Sequence, residues 1–272
     1  MYASHVQRTP ALAFVLVLIA TFACRPQAAS VEPSGPEPLA ETPPPRDRPG
    51  PVEFCGQVFQ PDEIVVECHD PSVKSVEPLV ALPALQAIDL EGASVRDVAV
   101  LQTLGELEDL YLARTPIESL ASVAKLQLEM LDIGETAIED LSPLASSKTL
   151  RDLRFTDTLV SDLSPLAGIE TLEEIDALGS KVDDLSALAS LPALRELRVS
   201  DCPVNSLEPL RELRSLERLD ISGTHVSSLE PLYALPELQY LNADHAAATL
   251  REVDAFREAQ PAVEVHAVYN AE

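Results

Sequence analysis

The feature that most constrains the fold of this chain is an internal repeat of about 22 residues. Lines of sequence begin every 22 residues, apart from one step of 21, at Leu85, Leu107, Leu128, Leu150, Leu172, Leu194, Leu216 and Leu238. Each line follows the pattern LxxLxLxxTxVxxLxPLxxLxx. A single coil of this kind cannot cover its own apolar side, so successive coils must stack and bury their leucines between them.

The pattern within each line predicts a short strand and a turn-rich return. In LxxLxL the leucines point into the coil, and each coil adds one strand to a parallel sheet with neighbours about 4.8 Å apart. On the opposite wall, DLSPLA at 140–145 and 162–167 places Ser before Pro at the start of a helical turn too short for an α-helix. The predicted fold class is therefore an α/β solenoid, with a parallel sheet on one face and 3-10 turns on the other.

The ninth position of each line carries small side chains, several of which can hydrogen-bond to backbone groups where the coil turns: Ala93, Thr115, Thr136, Thr158, Ser180, Cys202, Thr224 and Ala246. Cys202 fits this column as a small buried residue rather than a reactive thiol. In the sixth column Phe155 is the only aromatic residue, and Ala177 follows it in the next coil. We expect the ring to fill the space that Ala177 leaves, because protein interiors contain few large voids.

Both ends of such a stack need a cap. Residues 54–84 contain a degenerate copy of the repeat, with Cys55 before it and Cys68 within it. In an exported protein these two cysteines are expected to form a disulfide, whereas a zinc site would need more ligands than they and His69 supply. Beyond the repeats of 85–248, residues 249–272 are expected to form a helix over 249–260 and a last strand over 263–268.

The N-terminal residues have the layout of an export signal. Residues 1–23 combine Arg8 with the apolar run ALAFVLVLIA at 11–20, which is too short to span a bilayer comfortably. Residues 24–53 are rich in proline and poor in large apolar side chains, which predicts a disordered tether. Two alternatives are a buried helix for the apolar run and a proline-rich ligand for the tether.

These features resemble those of a known family. Over residues 54–268 the repeats resemble leucine-rich repeat proteins of the short-repeat kind found in internalins and bacterial surface lipoproteins. The segment Thr21-Phe22-Ala23-Cys24 resembles a lipobox, although Thr21 stands where an aliphatic residue is usual and Phe22 is larger than usual. The resemblance implies a concave sheet face, lipid attachment at Cys24 and a place in the cell envelope, at the outer membrane or cell surface. Simple secretion or a periplasmic location is the alternative.

Composition and motifs argue against several function classes. The chain has 19 basic and 45 acidic side chains, for a formal charge of -26, which disfavours binding to nucleic acid. The five histidines show no metal-ligand spacing with another His or Cys, and neither a glycine-rich phosphate loop nor a GxSxG motif is present. We therefore expect a non-enzymatic protein without cofactor or metal.

Arginines interrupt two acidic columns on the outward side of the predicted sheet. The second position of each line runs Gln86, Glu108, Glu129, Arg151, Glu173, Arg195, Glu217 and Gln239. The fifth runs Asp89, Tyr111, Asp132, Arg154, Asp176, Arg198, Asp220 and Asn242. One interpretation is a charge ladder in which each arginine lies between two carboxylates on neighbouring strands. The other is a recognition surface in which these four arginines bind an acidic partner.

A second possible contact site lies in the early repeats, where Tyr111 and Met130 are expected to be exposed on adjacent strands. Such residues are enriched at the centres of protein interfaces. The resulting hypothesis is a monomeric protein-binding module, anchored to the membrane through its N-terminal lipid. The alternative is a structural envelope protein without a specific ligand.

Overall fold

The computed structural model describes residues 50–268. The predicted signal peptide, Cys24 and nearly all of the tether lie outside the described residues, as do the last four residues of the chain. Within 50–268, no helix has the length and apolar character needed to cross a bilayer.

The described chain forms a solenoid built around one ten-stranded parallel sheet, as the repeats predict. A hairpin of β1 (Val52–Phe54) and β2 (Gln57–Phe59) comes first. The parallel sheet follows in chain order, with strands β3 (Val65–Glu67), β4 (Ala87–Asp89), β5 (Asp109–Tyr111), β6 (Met130–Asp132), β7 (Asp152–Arg154), β8 (Glu174–Asp176), β9 (Glu196–Arg198), β10 (Arg218–Asp220), β11 (Tyr240–Asn242) and β12 (Glu264–His266).

The repeat period sets the strand register. Leu219 pairs with Leu197 on one side and Leu241 on the other, so equivalent positions of successive lines lie opposite one another. The leucine positions of the pattern are almost completely buried, and they form one continuous core from the first cap to the last coil. Phe155 belongs to this core with no exposed surface, as predicted.

The return side of the coils carries seven described 3-10 turns, at Glu77–Ala81, Ala99–Thr103, Ser142–Leu144, Ser164–Leu166, Ser186–Ser190, Glu208–Leu210 and Glu230–Leu232. The serine before proline begins the turns at Ser142–Leu144 and Ser164–Leu166, as expected. In the line of Ser142, the carboxylate of Asp140 accepts hydrogen bonds from the Ser142 backbone N–H, at 2.7 Å, and from its hydroxyl, at 2.8 Å. The acceptor lies two residues earlier because a side-chain oxygen there reaches the first free N–H of the turn.

The ninth-position column is buried and hydrogen-bonded as expected. The hydroxyls of Thr115, Thr136 and Thr224 each donate to the carbonyl oxygen three residues earlier at 2.6 Å. The Cys202 thiol contacts the Ala177 carbonyl oxygen at 3.0 Å and the Ser180 hydroxyl at 3.3 Å, and burial raises the pKa of this thiol. Cys202 is therefore a packed, unreactive member of the column.

The residue before this column adopts the left-handed backbone conformation in every line. The eighth positions have φ between 52° and 75°, and they are Gly92, Arg114, Glu135, Asp157, Gly179, Asp201, Gly223 and His245. This conformation turns the chain out of the strand. It costs an L-residue about 1–2 kcal/mol, which the stacked coils on either side must offset.

Replacing a glycine at this position should therefore destabilise the solenoid. Gly223 has φ +68°, and a Cβ there would collide with Oδ1 of Asp201, which would have to rotate away. We expect Gly223→Ala to lower the free energy of unfolding by about 1–2 kcal/mol in urea denaturation. Gly168→Ala is the control, because no atom lies within 4 Å of a Cβ built at that position. Equal stability of the two variants would contradict this account.

A disulfide closes the N-terminal end of the stack. Cys55 and Cys68 are joined as predicted, with their Cα atoms 5.8 Å apart. Strand β1 begins at Val52, slightly before the predicted boundary at residue 54, because Val52 and Glu53 pair with Phe59 and Val58. Hydrogen bonding to a neighbouring strand recruits these two residues out of the expected tether.

The C-terminal end is closed by helix α1 (Leu250–Ala259) and by β12. Thr249 caps the helix by accepting a hydrogen bond from the Glu252 N–H at 3.3 Å, and the Glu252 carboxylate accepts one from the Leu229 N–H at 3.0 Å. Phe256 is fully buried, and its ring centre lies 5.9 Å from that of Tyr233. The helix therefore covers the apolar side of the last complete coil.

Candidate functional site

The outward side chains of β3 to β12 form a continuous surface, which we call the sheet face. It consists of the second, third and fifth positions of each line, and these side chains are mostly charged. Alternation along each strand places its leucines in the core and the flanking positions on this face.

The second-position arginines are paired within the molecule. Arg151 lies between Glu129, at 3.5 Å, and Glu173, with which it makes a close contact. Arg195 pairs with Glu217 at 2.9 Å. The ladder interpretation thus holds on both sides of Arg151, whereas for Arg195 it holds on one side.

The two fifth-position arginines differ from each other. Arg198 pairs with Asp176 at 3.2 Å and makes a close contact with Glu196. The strand register places Arg154 between Asp132 and Asp176, as predicted. It nevertheless forms no ion pair or hydrogen bond with any residue between 50 and 268, so the ladder lacks its contacts at this position.

The fifth-position aspartates also accept hydrogen bonds from the backbone. Oδ1 of Asp132 accepts a hydrogen bond from the Gly134 N–H at 2.9 Å, and Oδ1 of Asp176 accepts one from the Leu178 N–H at 3.2 Å. The same contact from residue five to residue seven occurs at Asp89, Asp220 and Asn242. These contacts hold one oxygen of each side chain where the strand ends. The other oxygen of Asp176, Oδ2, pairs with Arg198 and not with Arg154.

Tyr111 and Met130 do not form the expected exposed pair. Tyr111 is half-buried and lies in the fifth column, where it pairs with Asp132 across the sheet. Met130 lies in the third column between Asp109 and Asp152 and is only 5% exposed. Its flexible side chain packs among its neighbours on the sheet face, so the expectation of an exposed Met130 is wrong.

The carboxyl groups on the sheet face lie close together, and this changes their pKa values. Partial burial is the largest cause that raises the pKa of the carboxyl groups of Asp109, Asp132, Asp152 and Glu174. Neighbouring carboxylates raise the pKa further, as Glu108 does at Asp109. A carboxyl group whose pKa is raised on folding opposes folding increasingly as the pH rises through that pKa. Deprotonation of these four groups therefore lowers the stability of the fold.

The paired and unpaired arginines allow a direct test of the ladder. We expect Arg198→Glu to lower the melting temperature more than Arg154→Glu, because the first change replaces two attractive contacts with repulsion. The expected loss for Arg198→Glu is roughly 1 kcal/mol, since the group is partly exposed. Melting curves in low salt and in 1 M NaCl should show partial recovery at high salt. Equal melting temperatures for the two variants would contradict a structural role for Arg198.

Two groups of side chains, one on the sheet face and one at its edge, were not predicted from the sequence. At the C-terminal end, the Arg218 guanidinium lies 4.8 Å above the centre of the Tyr240 ring, and the Tyr240 ring centre is 5.4 Å from that of His266. A shallow cavity of about 110 Å³ lies between Arg218, Arg198 and Tyr240. The stacked residues Arg218, Tyr240 and His266 belong to different lines, but all occupy outward positions. Arg218 and Tyr240 are neighbours in the third column of the repeat.

At the N-terminal end, His69 Nε2 lies 3.0 Å from Oδ2 of Asp89, and Glu91 is beside them. Spacing between histidines and cysteines does not reveal this group, because two of its three members are carboxylates. His69 and Glu91 are 22 residues apart, which is one repeat, so they occupy the same position in successive lines.

Comparison with known proteins supports the fold. No protein-family model matches the chain. No curated protein matches it either. Among solved structures, internalin C2 from Listeria monocytogenes is similar, with a TM-score of 0.60 and 28% identity over 64% of this chain and 77% of that one.

Two further structures are similar at lower identity. Internalin F from Listeria monocytogenes has a TM-score of 0.53 and 19% identity, over 73% of each chain. A leucine-rich repeat protein from Leptospira interrogans has a TM-score of 0.61 and 17% identity, over 73% of this chain and 58% of its own. The described chain therefore has the leucine-rich repeat fold, of the kind seen in internalin-type bacterial proteins.

Proposed function

We propose that the protein is an exported leucine-rich repeat lipoprotein whose sheet face binds a protein partner without catalysing a reaction. The observation that carries the proposal is that the side chains of Tyr111 and Arg154 lack hydrogen-bond and ion-pair partners within the described part of the chain. Within residues 50–268, neither side chain makes a hydrogen bond or an ion pair, whereas Arg151, Arg195 and Arg198 are held by internal carboxylates. Tyrosine and arginine are the side chains from which binding sites are commonly built, and this arginine has no ion-pair partner among the described residues.

Tyr111 and Arg154 lie in the same column, separated by Asp132 on β6. Burial raises the pKa of the Tyr111 hydroxyl, as does the charge of Asp109, and the charge of Arg154 offsets part of this rise. The two side chains therefore share one patch, in which Asp132 is already bound by the Gly134 N–H. A partner that offers a carboxylate or carbonyl oxygen to Arg154 and an apolar surface to the Tyr111 ring would fit this patch.

The test is capture of a protein partner from an envelope extract of the producing cells by the immobilised chain. Tyr111→Ala and Arg154→Gln should each reduce recovery of the same partner by tenfold or more while leaving the melting temperature nearly unchanged, as for about 1.4 kcal/mol of lost binding energy. Lys148→Gln is the matched control, because it removes an exposed positive charge outside the sheet face. Undiminished capture by both sheet-face variants would refute the proposed site, and failure of the wild-type chain to capture any protein would favour the structural alternative.

Export and anchoring form the second part of the proposal. The disulfide supports an oxidising compartment, because such bonds are rare in the reducing cytosol. Attachment through Cys24 rests on the sequence of residues 21–24. Cys24→Ala should release the protein from the membrane fraction or leave it unprocessed, with Cys202→Ala as the control. A Cys24→Ala variant that remains membrane-bound and normally matured would show that the anchor is elsewhere.

A further inference from the structure

Three metal-ligating side chains meet on the outward side of the first two parallel strands. His69, Asp89 and Glu91 each place a potential ligand atom within 4.8 Å of the others. We propose that they form a binding site for a zinc ion, with one imidazole nitrogen and two carboxylate oxygens as ligands. Zinc accepts this combination of ligands at about 2.0–2.2 Å.

The backbone holds the three positions in place. Asp89 ends β4, and Glu91 follows two residues later. His69 has the same place in the preceding coil as Glu91 has in its own. Pairing of β3 with β4 aligns the two coils, and the Cys68 N–H donates to the Asp89 carbonyl oxygen at 2.8 Å. Because Cys68 is also bonded to Cys55, the residue next to His69 is fixed on two sides.

The separations suit a tetrahedral ion after small side-chain rotations. Ligand atoms at zinc distances are about 3.4 Å apart in a tetrahedron, and His69 Nε2 already lies 3.0 Å from Oδ2 of Asp89. Asp89 uses its other oxygen, Oδ1, to accept the Glu91 N–H at 2.9 Å, which leaves Oδ2, beside His69, to act as the ligand. Three protein ligands leave a fourth position for water or for a side chain of another molecule. Calcium and magnesium are poorer fits, because they prefer six or more oxygen ligands.

Arg114 competes with the metal for one ligand. Its guanidinium makes a close contact with Glu91, and its Nε also lies 3.4 Å from Oε1 of Glu135. Zinc binding would therefore displace Arg114 from Glu91 while leaving it the contact with Glu135. The arginine weakens the site without blocking it, so its removal should tighten zinc binding.

The experiment titrates the full chain with zinc chloride in competition with a chromophoric chelator. We expect one zinc ion per chain. His69→Ala should weaken its binding by roughly tenfold or more, since loss of even an outer-shell partner commonly costs that much. His266→Ala is a closely matched control. The two histidine side chains are 54% and 52% exposed, and each lies 3.0 Å from one carboxylate oxygen, but the described residues place no third ligand at His266.

Two further arms make the result decisive. Arg114→Gln should raise the zinc affinity, and an unchanged affinity would remove Glu91 from the ligand set and overturn the three-ligand site. Calcium chloride at the same concentrations should not compete. The proposal is also overturned if the wild-type chain does not bind one equivalent of zinc, or if His69→Ala and His266→Ala bind it equally well.

Discussion

Phe155→Ala should lower the free energy of unfolding by about 3–5 kcal/mol, the range typical of an aromatic residue truncated in a packed core. The side chain has no exposed surface, and its neighbour at the same position in the next coil is Ala177, which is also fully buried. The surrounding coils are held in register by strand pairing on both sides of β7, so they cannot collapse readily into the space left by the ring.

Chemical denaturation of the variant and the wild-type chain measures this loss. Leu159→Ala is the control, since Leu159 is a large apolar residue nearby in sequence but is 48% exposed. It should change stability by well under half as much. A near-neutral Phe155→Ala variant would mean that the ring does not support the stack.

The second large effect concerns the Cys55–Cys68 disulfide. Replacing both cysteines with alanine should cost about 3 kcal/mol, because the bond closes a loop of 13 residues' separation and restricts the unfolded chain. The loss should appear first at the N-terminal cap, because each coil of a solenoid is stabilised mainly by its neighbours. Hydrogen exchange should then show faster exchange in β1 to β3 than in β8 to β10.

A reductant provides the internal control for this prediction. Reduction should destabilise the wild-type chain to about the level of the double variant and leave the variant unaffected. Peptide mass spectrometry without reduction should find Cys55 joined to Cys68 and Cys202 free. A double variant as stable as the oxidised wild type would show that the cap does not depend on the bond.

The fold was predictable because the leucines that build its core recur at a fixed period in the sequence. Leucines at equivalent positions must meet across neighbouring coils, so the sheet, its register, the threonine column and the capping helix all follow from the sequence pattern. The left-handed eighth position was harder to see, because glycine occupies it in only some lines and residues as different as Arg114 and His245 occupy it in others. At these residues the packing of neighbouring coils stabilises the left-handed backbone conformation against the residue's own preference, and the sequence pattern does not show this.

The sheet face was predictable only as a set of columns. Which charges pair depends on distances of a few ångströms that the sequence does not give. Asp176 lies between Arg154 and Arg198, and its Oδ2 pairs with Arg198. Met130 is buried although it faces outward, because neighbouring side chains of the sheet face cover it. The group of His69, Asp89 and Glu91 joins two coils and requires the three-dimensional register to be recognised.

The most direct test of the proposed binding face is photocrosslinking in the native envelope. A photoreactive amino acid placed at Tyr111 should yield one adduct of defined mass, and the same residue at Glu170, which is exposed in a loop outside the sheet face, should not. A protein adduct specific to position 111 is the result that the account predicts. Adducts at position 170 but not at 111, or no adduct at either position, would contradict a partner-binding role for the sheet face.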